Sequence, residues 1–138
     1  MSISEEFVVK LRESGLRPTR QRVKICELLF NRNNTFHFTI SELAQLMENE
    51  IKQKISLATI YNTVHALKIK GYLKEILINS NQSYYDTNIS NHHHFYDESL
   101  NQLIDLKDSD VGNIKIKKII PGKKIKSIEV LVKIANNN

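Results

Sequence analysis

Apolar residues in the first half of the chain recur at intervals of three and four, which is the period of an amphipathic helix. This pattern predicts four helices, over residues 4–14 and starting at Thr19, Thr39 and Ser56. Strand-like residues follow on both sides of a short polar turn, so we expect a β-hairpin after the fourth helix. Helices followed by a hairpin are the arrangement of a winged helix, which we predict for residues 1–85.

The second half of the chain has strand-like patterning. Alternation near the C-terminus places Ile128, Val130, Val132 and Ile134 on one face of a predicted strand. A segment of about 45 residues buries little core on its own, so we expect this face to pair with a second copy of the chain.

The two patterns divide the chain into domains. We predict a winged-helix domain followed by a hinge at residues 86–91 and by a dimerisation and sensing domain at residues 92–138. The expected fold class is α+β, with an N-terminal winged helix-turn-helix and a small C-terminal α/β domain.

Composition narrows the possible partners. The formal net charge of +5 suits a polyanion, without choosing between nucleic acid and a membrane surface. No run of about 18 apolar residues occurs, so we expect no membrane span. The acidic start MSISEEFVVK is unlike a secretion signal, so the predicted location is the cytoplasm. Cys26 is the only cysteine, which excludes an internal disulfide and any zinc site that needs two thiolates from one chain.

The helix predicted to start at Ser56 has the features of a DNA recognition helix. Its spacing places Leu57, Ile60, Val64 and Leu67 on a buried face and leaves mostly small side chains on the other. A slim face with amide and methyl groups can enter the major groove, where Asn bonds adenine and methyl groups contact thymine, so an A·T-rich site is expected. The alternative is a solvated helix face with ordinary surface charges nearby. The predicted DNA-contacting residues are Arg17, Arg20, Arg22, Ser56, Ala58, Thr59, Tyr61 and Asn62.

The segment NHHHFYDE, at residues 91–98, is the main candidate for metal binding. In a strand, the first and third of its histidines share one face, and the second points to the other. Further imidazole and carboxylate ligands are expected from distant positions, and such a donor set suits Zn(II), Fe(II) or Mn(II). The alternative is a group of polar strand residues and two loop acids without an ion. The predicted ligands are His37, Asp86, His92, His94 and Asp105.

Four stretches match the pattern of one known family. They are GLRPTRQR at 15–22, HFTISELAQLM at 37–47, SLATIYNTVHALKIKGYL at 56–73, and the histidine segment that leads to LIDL at 103–106. Through these stretches the chain resembles the ferric uptake regulator family over nearly its whole length. HHHFYDESLNQLIDL, together with Asn62, is most similar to the iron response regulator branch.

The resemblance implies roles for particular residues. The family's sensor metal, which bridges the two domains, falls on the five ligands named above. In the iron response regulator branch the histidine segment is implicated in haem binding, so His92, His93 and His94 are candidate haem contacts. The family's minor-groove basic residue falls on Arg17, and its groove-reading tyrosine falls on Tyr61.

Two departures from the family pattern limit which family properties can be expected of this chain. Many members have a Cys-x-x-Cys after the histidines, whereas this chain has Asp97 and Leu100 there, which excludes a structural zinc held by four cysteines. The Cys-Pro haem motif of some iron response regulators is also missing, since Cys26 is followed by Glu27.

Together these features predict a regulator rather than an enzyme. We expect a homodimer that binds double-stranded DNA, responds to a divalent metal (Fe, Mn or Zn) or to haem, and regulates iron or haem homeostasis. Two alternatives stay open at this point: a small His/Asp metalloenzyme, for which no substrate pocket or catalytic base is indicated, and a DNA-binding protein without a sensor site.

Overall fold

The computed structural model describes residues 2–137. The chain forms two compact units, one that ends at Ile89 and one that begins at Ser90. Each unit has its own sheet, and the fold is α+β as the sequence predicts. In the described part of the chain, no helix is long and apolar enough to cross a membrane.

The first unit contains the four predicted helices. Each is preceded by a Ser or Thr whose side chain accepts a hydrogen bond from a backbone N–H of the first turn, which satisfies a donor that the helix leaves free. Thr39 and Glu42 form a capping box, and Gly71 ends the last helix in a left-handed conformation with φ of 98°. The helices are α1 (Ile3–Glu13), α2 (Arg20–Phe30), α3 (Ile40–Ile51) and α4 (Leu57–Lys70).

Three antiparallel strands complete the first unit: β1 (His37–Phe38), β2 (Lys74–Asn79) and β3 (Gln82–Asp86). Their order is β1-β3-β2, so β3 lies in the centre. The β2–β3 hairpin follows α4 directly, which confirms the winged helix. The short strand β1 was not predicted, because two residues are too few to show an alternating pattern.

The core of the first unit confirms most of the buried face predicted for α4. Ile60, Val64 and Leu67 are fully buried. Leu57 is 59% exposed, so its prediction as a core residue was wrong; it is the first residue of the helix and no earlier turn brings it inward. Thr63 is buried instead, and its hydroxyl donates to the Thr59 carbonyl at 2.7 Å, which removes the cost of burying it.

The second unit is a sheet of three strands: β4 (His93–Asp97), β5 (Gln102–Leu106) and β6 (Leu131–Ile134). Their order is β5-β4-β6, with β5 antiparallel and β6 parallel to the central β4. A short 3-10 helix (Asp108–Asp110) follows β5. Tyr96, Leu103 and Leu106 are the buried apolar residues of this small unit.

The connection from β5 to β6 differs from the sequence expectation. The predicted alternating strand is present only at Leu131–Ile134, because only these residues find a partner strand. Every residue from 112 to 127 is exposed, and we call this segment the exposed arm. It contains a turn at Pro121–Gly122, where the Lys123 N–H donates to the Ile120 carbonyl at 3.1 Å and Gly122 has φ of 77°. Pro followed by a left-handed Gly is the sequence of a type II turn.

Candidate metal centre and nucleic-acid interface

The exposed face of α4 is the candidate base-reading surface. Ala58, Tyr61 and Asn62 are exposed, as the sequence predicts. Leu57 is also exposed, so the start of the helix presents a branched apolar side chain to solvent. The sequence analysis placed Leu57 in the core, although its position as the first helical residue indicated exposure. Such a face offers one amide and several apolar groups to a major groove.

The hydroxyl groups at the start of α4 have a structural task. Ser56 accepts a hydrogen bond from the Thr59 N–H at 3.1 Å, and the two hydroxyl oxygens lie 2.9 Å apart. Further along, the Tyr61 and His65 rings stack with centroids 5.7 Å apart. These contacts hold the Tyr61 ring and the first turn in defined positions before any ligand binds.

The predicted phosphate-contacting cations differ in how accessible they are. Arg17 and Arg20 are exposed. Arg22 is half-buried and donates through Nη1 to the Arg17 carbonyl at 3.1 Å, so it supports the α2 start. Lys24 lies 3.3 Å from Glu27 and 3.4 Å from Glu50, and these carboxylates raise its pKa and balance its charge. Arg17 and Arg20 are therefore the better candidates for binding phosphate.

In the second unit, His92, His94 and Asp105 come together. The antiparallel register pairs His94 with Asp105, as their spacing predicts. Asp105 Oδ1 lies 3.4 Å from His94 Nε2 and 3.6 Å from His92 Nε2, and the two imidazole centroids are 4.3 Å apart. Two ring nitrogens and a carboxylate oxygen thus point at the same small volume.

A second contact fixes the orientation of His92. Its Nδ1 lies 2.8 Å from the Ser90 carbonyl oxygen, which only accepts hydrogen bonds, so Nδ1 carries the proton. The lone pair of the neutral ring is then on Nε2, the atom that faces Asp105. Metal-binding histidines usually have this arrangement, in which one nitrogen donates to a carbonyl and the other is free to coordinate. The donor set of this unit therefore fits a divalent ion.

His93 points away from this cluster and has different partners. Its Nδ1 accepts a hydrogen bond from the Val130 N–H at 2.9 Å, and its Nε2 lies 3.3 Å from Asp108 Oδ1. The imidazole is nearly buried. His93 therefore connects β4 to the residues before β6, and its Nδ1 is occupied.

The other two predicted ligands are register partners in the first unit. His37 on β1 lies opposite Asp86 on β3. Asp86 is 1% exposed and accepts a hydrogen bond from the Asn88 N–H at 2.9 Å, while the His37 ring packs edge-on against Tyr84. The sequence indicated both residues, but their pairing depends on the short strand β1.

Cys26 does not contribute a metal ligand. It is fully buried in the core of the first unit, and burial raises the pKa of its thiol to about 12. Thiolates rather than thiols bind metals. The candidate centre is therefore built from imidazole and carboxylate groups alone.

Comparisons with known proteins agree with this architecture. Residues 13–134 match the model of the ferric uptake regulator family. The peroxide-responsive repressor PerR of Staphylococcus aureus (strain Mu50) is 32% identical over 111 residues, which cover 80% of this chain and 73% of that protein.

Solved structures show the same fold at low sequence identity. The ferric uptake regulator from Pseudomonas aeruginosa with manganese has a TM-score of 0.66 and 18% identity, and the likeness covers 96% of this chain and 98% of that one. A zinc-bound manganese uptake regulator has a TM-score of 0.63 and 20% identity, with coverage of 99% and 100%. The family match, the winged helix and the histidine cluster lead to one conclusion: this chain belongs to the ferric uptake regulator family of metal-responsive, DNA-binding transcription regulators, and not to the enzymes.

Proposed function

We propose that this regulator binds A·T-rich operators as a homodimer and that one divalent ion controls the binding. The proposed ligands are His37, Asp86, His92, His94 and Asp105. The observation that carries this proposal is the convergence of His92 Nε2 and His94 Nε2 on Asp105, with the His92 tautomer set by the Ser90 carbonyl.

The chemistry of the ligands suits Fe(II), Mn(II) or Zn(II). Imidazole nitrogens are borderline ligands and carboxylates are hard, so the set is poor for Cu(I), which prefers sulfur. Asp105 is half-exposed, which leaves a path for an ion to enter from solvent. A bound ion would form strong bonds to nitrogen and oxygen donors, and we propose that these donors come from both units.

Sharing the ligands between units gives a means of regulation. His37 and Asp86 belong to the DNA-reading unit, and the three other ligands belong to the second unit, which begins at Ser90. Only residues 87–91 separate Asp86 from His92, so the chain itself keeps the two sets within reach. A metal ion held by side chains of both units would stabilise one arrangement of the units over others. A regulatory switch requires such a difference in stability.

DNA recognition is assigned to the exposed face of α4 with the exposed Arg17 and Arg20. Methyl-bearing side chains, including Leu57, favour contact with thymine, and Asn62 favours adenine. In a dimer, two such helices would read half-sites about 34 Å apart or a multiple of that distance.

The exposed arm supports dimer formation. It presents Ile119 and Ile120 at 77% and 60% exposure, and a monomer rarely leaves such side chains together in water. We therefore assign these two isoleucines of the arm to contact with a second copy.

We further propose that the chain belongs to the iron response regulator branch, acts in the cytoplasm and binds haem. Haem would bind through His92 or His94 and compete with the metal. His93 is less suited, since its Nδ1 accepts from Val130 and its Nε2, which then carries the proton, faces Asp108. We also propose a hinge at residues 86–91 between the two predicted domains.

The first test replaces one ligand. Asp105→Asn keeps the shape of the side chain but removes its charge, so we expect metal affinity to fall at least tenfold, by analogy with the loss of groups that support a metal site. The metal concentration needed for half-maximal operator binding should rise in parallel. Calorimetry with Mn(II) and Zn(II), and fluorescence anisotropy with a duplex selected by the wild-type protein, measure the two quantities.

Asp110→Asn is the matched control, because Asp110 is an exposed aspartate of the same unit outside the proposed site. The double variant His92→Ala, His94→Ala should lose the metal response together with any haem response. The proposal is refuted if both ligand variants bind metal and operator like the Asp110→Asn control.

A further inference from the structure

The exposed arm carries a second feature, a high density of positive charge. It contains lysine at six positions on either side of the Pro121–Gly122 turn, and no acidic residue occurs between Asp110 and Glu129. The lysines are Lys115, Lys117, Lys118, Lys123, Lys124 and Lys126.

These lysines have no acidic partner among residues 2–137. All six are exposed, and none takes part in an ion pair. Two lysines of the first unit behave differently: Lys24 contacts two glutamates and Lys68 contacts Glu75. Concentrated like charges repel one another, so an uncompensated cluster favours a partner with closely spaced negative charge.

The turn organises the lysines into two groups. Lys115, Lys117 and Lys118 precede it and the other three follow it, and the Ile120–Lys123 hydrogen bond reverses the chain between the groups. Lysines alternate with Ile114 and Ile116 before the turn. In extended backbone, alternate residues point to opposite sides, about 6.6 Å separating neighbours on one side. Lys115 and Lys117 can thus serve a different partner from Ile114 and Ile116, whereas Lys118 and Ile119 reverse this order.

We infer that the lysines of the exposed arm form a second DNA-binding element, which contacts phosphates without reading bases. Duplex DNA has the required chemistry, with about one negative charge per 1.7 Å of its axis. An anionic membrane is the less favoured partner, because the arm has no aromatic residue of the kind that anchors surface-bound segments. The inference rests on the proposed function, since it adds a contact to an operator-binding protein.

The test measures how DNA affinity depends on salt. Two arm variants, Lys115→Gln with Lys117→Gln and Lys124→Gln with Lys126→Gln, are compared with a control that replaces the exposed Lys107 and Lys133 of the same unit. Removing one lysine–phosphate interaction should make the slope of log affinity against log salt shallower by about 0.9. Both arm variants should weaken binding to the selected operator and to a scrambled duplex by the same factor, about tenfold, because phosphate contacts carry no sequence information.

Three outcomes overturn the inference while leaving the proposed function intact. In the first, the arm variants show the same slope of log affinity against log salt as the Lys107/Lys133 control. They can become monomers in sedimentation equilibrium while the control remains a dimer, which assigns the lysines to the second copy. They can lose binding to phosphatidylglycerol vesicles with no change in DNA slope. If the wild-type protein selects no duplex at all, the proposed function itself fails.

Discussion

A single imidazole, His93, connects the strand of proposed metal ligands to the last part of the second unit. It occurs between His92 and His94 in sequence, yet it faces the other side of the strand and accepts a hydrogen bond from the Val130 N–H. A hydrogen bond of this partly buried kind contributes about 0.5–1.5 kcal/mol to stability. The central histidine of the segment therefore has a structural task that differs from that of its neighbours.

Replacing His93 tests this task. His93→Ala should destabilise the second unit by about 0.5–1.5 kcal/mol, because the partly buried Val130 N–H loses its acceptor. His93→Asn offers an oxygen near the position of Nδ1 and should recover part of the loss. Amide exchange at Val130, followed by NMR on the full chain, reports the local stability. Equal exchange rates in the Ala variant and the wild type would show that the hydrogen bond contributes nothing.

Individual positions also show where sequence reasoning is strong and where it fails. The pairing of His94 with Asp105 was predictable, because strand residues alternate with a fixed period of two. The contact of His92 with the Ser90 carbonyl was not predictable, since it depends on the path of the chain just before β4. Leu57 was misassigned because helical periodicity says nothing about whether a first turn has neighbours to pack against.

At the scale of elements, an ion pair ties the recognition helix to the wing. Lys68 near the end of α4 donates to Glu75 on β2 at 2.7 Å, and this hydrogen bond is the main cause that lowers the pKa of Glu75 below its usual 4.5. Both side chains are partly buried. The contact fixes the hairpin relative to α4, the helix proposed to read DNA.

Glu75→Gln tests the ion pair through its pH dependence. At pH 7 we expect a loss of about 0.5–1 kcal/mol in the free energy of unfolding, a range suited to a partly exposed pair. A lowered pKa in the folded state contributes stability above about pH 4.5, and this contribution is lost as the pH falls through the lowered value. The difference between variant and wild type should therefore shrink below pH 4.5 in urea titrations.

Glu48→Gln, at an exposed position of α3, is the control for removing a negative charge. A deficit that stays constant from pH 7 to pH 3, or one that Glu48→Gln reproduces, contradicts the assignment.

Elements differ in how far local sequence determines them. The four helices were predictable because caps and periodicity lie within each segment; Thr39 with Glu42 and Gly71 are examples. Strand β1 and the short length of β6 were not predictable, because both depend on which distant residues pair with them. His37, for example, pairs with Asp86, although most of the first unit's sequence lies between the two residues.

For the whole molecule, the exposed isoleucines of the arm predict the oligomeric state. Ile119→Asn combined with Ile120→Asn should weaken the dimer at least tenfold, since it removes the two most exposed apolar side chains of the arm from the proposed interface. Ile69→Asn is the matched control, because Ile69 is 70% exposed on α4 of the first unit. Sedimentation equilibrium measures the dissociation constants. A wild-type chain that stays monomeric at all concentrations would rule out this interface.

The order of strands in the second unit has a consequence for synthesis of the protein. β4 lies between β5 and β6, and β6 is formed by residues 131–134. The winged helix has its own core and can fold on the ribosome while these last residues are still being translated. A prematurely terminated chain would therefore retain its operator-reading half and lack a finished sheet around His94. Under the proposed function such a fragment would keep its base-reading surface but lack the metal-held arrangement that operator binding needs, so it would be inactive at promoters.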